Sequence, residues 1–144
     1  MKGIIAAMVA GVVLSSKVTS LETNCEAEHM IFKYSKANAD PTDSFTFTFQ
    51  GEGLCETEVS LTGYESWLYK DKKLVKKVQN KKESEKCSKN ETKQLEYQVD
   101  LGSDMEAGEY TLISFTKGTI TSTKTEGFLG CLRTEITLWD INNQ

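Results

Sequence analysis

Histidine and proline are nearly absent from this 144-residue chain, with one of each (His29 and Pro41), and only four cysteines (Cys25, Cys55, Cys87, Cys131) and ten glycines are present. A Ser-His-Asp triad, a Cys-His dyad or a histidine-based metal site would have to run through His29 alone, so the sequence argues against an enzyme and predicts no metal and no cofactor. Glycine and proline are too few for a collagen-like chain, and cysteine is too sparse for a knottin-like one. Long hydrophobic runs are also missing. The one apolar stretch, from Ile4 to Leu14, is eleven residues, short of the about 20 that a membrane-spanning helix needs. What remains is ordinary globular composition, 38% hydrophobic and 26% charged, enough for one domain around one core.

Lys2 precedes the apolar stretch, and Ser15, Ser16, Thr19 and Ser20 follow it. That pattern predicts a secretory signal peptide over residues 1–20, cleaved at Val18-x-Ser20, and a mature domain over residues 21–144 with a net charge of −6. The expected location is outside the cell or in a lysosomal or endosomal lumen, where all four cysteines can pair as two disulfides. Asn90-Glu91-Thr92 is then a usable N-glycosylation sequon, expected on a surface turn.

The mature chain reads as strands. Ser44-Phe45-Thr46-Phe47-Thr48-Phe49-Gln50 alternates strictly, as does Gln94-Leu95-Glu96-Tyr97-Gln98-Val99-Asp100-Leu101, and period two means a half-buried strand. Thr134–Leu138, Tyr110–Phe115, Val59 with Leu61, Trp67–Tyr69 and His29–Tyr34 supply further short strands. Turns are expected at Gly51-Glu52-Gly53, Asp71-Lys72-Lys73, Gly102-Ser103-Asp104, Gly118 and Gly127. Six to eight strands without helical periodicity predict an all-β sandwich. Asp104 followed by Gly108-Glu109-Tyr110 resembles the tyrosine corner of immunoglobulin domains, with Trp67 in place of their buried tryptophan, although Leu112 stands where that family has its second core cysteine.

Charge is unevenly spread. Residues 70–93 hold ten lysines against four acids, a local +6, which leaves −12 on the rest of the mature chain. A lysine-rich segment draws anionic head groups or acidic glycans, or simply guards an edge strand. It contains no arginine and no aromatic residue, Tyr69 and Tyr97 lying beyond its ends, so nucleic acid is not an expected partner. His29 reads as an edge residue, and the many carboxylates read as solvated surface charge.

The run Met105-Glu106-Ala107-Gly108-Glu109-Tyr110-Thr111-Leu112-Ile113, followed by a polar hairpin and Phe128-Leu129-Gly130-Cys131-Leu132-Arg133-Thr134-Glu135-Ile136, together with Asn24-Cys25, resembles the ML family of lipid-recognition domains. The resemblance implies an immunoglobulin-like two-sheet β-sandwich whose sheets part at one end to form a lipid cavity between them. It also implies a Cys25–Cys131 bridge, leaving Cys55 and Cys87 for each other. Candidate cavity walls are Phe45, Phe47, Phe49, Val59, Leu61, Trp67, Leu95, Tyr97, Val99, Leu101, Tyr110, Leu112, Phe115, Phe128, Ile136 and Leu138, with Met105 at the mouth. Lys70, Lys72, Lys73, Lys76 and Lys77 are candidate head-group contacts. The expected function is lipid binding or lipid transfer, with a lipid (acyl chain, glycolipid or sterol) as ligand and a membrane surface, receptor or lipid-processing enzyme as partner. The alternative is a secreted immunoglobulin-like interaction module with a closed core.

Overall fold

Alternating residues such as Phe47, Phe49 and Leu95, Tyr97, Val99 can bury only one face of an extended chain, and two such faces must meet. The computed structural model describes residues 14–25, 30–43 and 45–141 and resolves this as eight strands: β1 (Leu14–Thr23), β2 (Phe32–Pro41), β3 (Thr46–Cys55), β4 (Val59–Lys70), β5 (Lys73–Cys87), β6 (Thr92–Asp100), β7 (Gly108–Ile120) and β8 (Thr125–Asp140). They form a five-stranded sheet, β1-β8-β7-β4-β5, facing a three-stranded sheet, β2-β3-β6. All pairings are antiparallel. The expected all-β sandwich is the observed fold.

Several sequence-predicted turns lie inside strands. Gly51-Glu52-Gly53 is part of β3, paired on both sides. Its glycines are needed because the Tyr34 and Phe32 rings lie across the backbone: a Cβ on Gly53 would sit 2.3 Å from Phe32 Cε2, and one on Gly51 2.6 Å from Tyr34 Cε1. Gly118 and Gly127 pair with each other within the β7–β8 hairpin, whose turn lies at residues 121–124. Gly118 admits β4, since its Cβ would meet Ser60 O at 2.3 Å. Asp71 and Lys72 do form a tight turn, both at positive φ, as a two-residue hairpin loop with the twist of its strands requires.

His29 lies outside the described residues, and the strand expected over residues 29–34 begins at Phe32. Residues 14–20, read from sequence as the end of a leader, form most of β1, with Leu14 opposite Asp140 and Val18 opposite Ile136. Cleavage after Ser20 leaves only Leu21, Glu22 and Thr23 of this strand.

The two disulfides join Cys25 to Cys131 and Cys55 to Cys87, as expected. The second ties the ends of β3 and β5, and therefore the two sheets, to each other.

Candidate functional site

Twelve of the candidate cavity residues point between the sheets: Phe47, Phe49, Val59, Leu61, Leu95, Tyr97, Val99, Leu101, Tyr110, Leu112, Ile136 and Leu138 are all buried in one cluster, with Met105 packed partly against it. They touch one another across the gap, so the interior is filled by its own side chains. Tyr97 stacks on Phe49 and on Tyr64, with ring centroids 5.2 and 3.9 Å apart. Phe45 is half-buried at the rim before β3.

Trp67, Phe115 and Phe128 are elsewhere. One-residue parity puts them on the outer face of the five-stranded sheet, where Phe115 and Phe128 stack at 4.2 Å and Trp67 meets both edge to face, beside Met30, Cys25 and Cys131. Trp67 therefore does not take the part of the immunoglobulin core tryptophan. Its indole Nε1 donates to the buried Glu65 at 2.5 Å. That bond, with Lys117 nearby, holds the Glu65 carboxyl below its ordinary pKa against the opposing effect of burial. The tyrosine corner is present: Tyr110 Oη donates to the Glu106 carbonyl at 2.7 Å.

The interior also carries hydroxyls, which alternation alone does not single out. Ser66, Ser114, Thr116 and Thr134 lie buried on the five-stranded sheet. Ser66 and Ser114 bond each other at 2.9 Å, and Tyr34 reaches Thr116 at 2.7 Å. The Thr134 hydroxyl is buried without a partner, and the buried Tyr97 hydroxyl faces Ser114. Burial drives the Tyr97 and Tyr34 phenols well above their ordinary pKa, and Tyr64 up to about 12.

The two lateral edges of the sandwich differ. On the β1/β2 side, the Asn24 amide bonds both the N–H and the C=O of Tyr34, at 2.8 and 2.9 Å, and the Ile31 N–H donates to Leu129 O at 2.9 Å. On the β5/β6 side, two edge strands of different sheets run past each other without a main-chain ladder. Side chains span this seam: Lys93 to Glu85 at 3.1 Å, Asn80 to the Gln98 carbonyl, and Lys76 to the Leu101 carbonyl at 2.5 Å and to Asp104 at 2.7 Å. At its Lys76 end lies a recess of about 170 Å³ lined by Lys70, Val75, Lys76, Asp104, Met105, Glu106 and Tyr110. The recess thus gathers Met105 and two of the head-group candidates. Of the other three, Lys77 sits 4.7 Å from the Trp67 ring centroid on the outer face, while Lys72 and Lys73 stand exposed at the hairpin tip. Asn90 is exposed in the β5–β6 turn at positive φ.

No protein-family model matches the sequence, and no curated protein matches it. Solved structures do. The C-terminal domain of wzt superposes with a TM-score of 0.54 at 8% identity, covering 87% of this chain and 86% of that one. Chicken MD-1 complexed with lipid IVa gives a TM-score of 0.46 at 13% identity over 85% of this chain and 96% of that one. A protein from Archaeoglobus fulgidus gives 0.46 at 8% identity over 86% and 97%. The molecule is an all-β sandwich of two antiparallel sheets, a fold it shares with the wzt domain.

Proposed function

We propose that this protein binds lipid between its sheets and carries or presents it, without catalysis, outside the cell or in a lysosomal or endosomal lumen. The observation that carries the reading is the β5/β6 seam, where two apolar sheet faces meet along an edge that only side chains hold. Breaking these few side-chain contacts, two of them part-buried, costs less than unzipping a main-chain ladder. Parting the seam gives a hydrocarbon chain access to the Phe47, Val99, Leu112 and Leu138 layer, and each methylene taken from water contributes about 0.8 kcal/mol. The unpartnered Thr134 hydroxyl is suited to an ester or hydroxyl of the guest, because a buried hydroxyl gains most from the bond it lacks. The Cys55–Cys87 bridge limits opening to the Lys76 end.

The filled interior favours the second reading, a secreted immunoglobulin-like interaction module whose charged faces do the work. Native mass spectrometry of the secreted protein, with titration of a fluorescent fatty acid, separates the two. Lipid binding predicts a co-purifying or displaceable lipid in near-stoichiometric amount. Protein that carries none and leaves the fluorescent chain in water is a closed-core module.

A further inference from the structure

Edge protection explains lysines along β5, but it does not explain exposed aliphatic side chains among them. Leu74 and Val75 are 45% and 50% exposed, and of the four exposed large hydrophobics among the described residues they alone are adjacent. They sit just beyond the two-residue turn at Asp71 and Lys72, in the run Lys70-Asp71-Lys72-Lys73-Leu74-Val75-Lys76-Lys77, which carries five lysines and one acid. Leu74 pairs with Tyr69, and an irregularity in the ladder next to Leu74 sets Val75 toward the recess that it lines with Met105. Asp104 engages Lys76, and Lys70 lies over Tyr110 with Nζ 5.4 Å from the ring centroid. Lys72 and Lys73 are left to face outward at the tip.

From these observations we infer that the β4–β5 hairpin tip docks on an anionic lipid bilayer, with Leu74 and Val75 entering the interfacial region and Lys72 and Lys73 resting on the head groups. An aliphatic pair ringed by lysines suits a surface that is negative outside and apolar just beneath, since neither anchor alone holds a soluble domain firmly. The mature chain outside this run, at −10, is repelled by the same surface and orients the molecule tip-down. The rigid, ladder-paired hairpin needs no ordering to bind. Docked this way, the recess and the Lys76 end of the seam face the membrane. The inference does not depend on the interior accepting a lipid.

Co-sedimentation with vesicles of phosphatidylcholine alone and of phosphatidylcholine mixed with phosphatidylserine tests it on the mature protein. Binding is expected to the mixed vesicles and to weaken with salt. It should fall roughly tenfold or more in Leu74→Ser/Val75→Ser and in Lys72→Glu/Lys73→Glu. Leu54→Ser, an exposed hydrophobic on β3, serves as the control that keeps binding. A Val75→Trp reporter should shift its emission to the blue on mixed vesicles. Binding that ignores the Leu74/Val75 change, binding equal on both vesicles, or capture only by soluble acidic polymers such as heparin overturns the proposal. Because these side chains are exposed, circular dichroism should show every variant folded, and loss of vesicle binding with fatty-acid binding intact separates this surface from the interior.

Discussion

At the residue scale, Gly51 and Gly53 show how a turn signal can be a packing signal. Their positions continue the inward set of β3 (Phe47, Phe49, Gly51, Gly53, Cys55), so period two runs on through them. What the sequence alone does not reveal is which rings need the space, because Phe32 and Tyr34 come from β2 and lie across β3 only after the sheet forms. Gly53→Ala places a methyl group against Phe32 and within 2.9 Å of the Lys33 carbonyl. It should lower the urea midpoint by the equivalent of about 1–3 kcal/mol. Gly127→Ala, with nothing within 4 Å of the added carbon, should leave the midpoint in place. Equal effects at the two sites would mean that strand propensity, not the ring contact, selects glycine.

At the element scale, β5 is the strand whose attachment differs from the rest. It pairs with β4 alone, carries the basic segment, and reaches the other sheet through the Cys55–Cys87 bridge and the seam side chains. Its lysines were legible as an edge guard. Its position opposite β6 was not, because two edges that never pair leave no shared pattern in sequence. Chain entropy assigns the bridge, which spans 32 residues, about 3.7 kcal/mol, and the Cys25–Cys131 bridge, which spans 106, about 4.7 kcal/mol. Cys55→Ala/Cys87→Ala should therefore destabilise the protein by up to about that smaller figure. Hydrogen exchange in residues 73–87 should quicken before that in β8, which has partners on both sides. Uniform quickening in β5 and β8 would show that the bridge has no special hold on the seam.

At the scale of the whole molecule, stability should depend on pH through a few carboxylates. Glu85 receives hydrogen bonds from Lys82 at 2.6 Å and Lys93 at 3.1 Å, and its pKa is lowered. Glu65 is lowered by Trp67 and Lys117. A carboxyl depressed by folding contributes its full stability above its unfolded pKa and loses it as pH falls through the folded one. Urea unfolding should therefore be steady from neutrality to about pH 5 and weaken below about pH 4, with Glu85 giving up Lys93 and loosening the seam. Glu65→Gln/Glu85→Gln should be less stable at neutral pH and show a shallower acid limb. An unchanged acid limb would assign acid unfolding to the general surplus of acids.

Much of the architecture was decided by the chain itself. Alternation determines strands because the backbone puts neighbouring side chains on opposite faces, and the tyrosine corner is local, joining Glu106 and Tyr110 four positions apart. The +6 and −12 division is composition and needs no fold. Only the tertiary structure decided that Trp67, Phe115 and Phe128 cluster outside and Phe45 stays at the rim while the other twelve candidate wall residues fill the interior, because parity is set by registers and bulges such as those at Leu61/Gly63 and Thr116/Lys117. It alone placed Leu74 and Val75 in the open. Apolar residues in a run read as buried until the sheet order leaves their strand at an edge with no further layer to cover it.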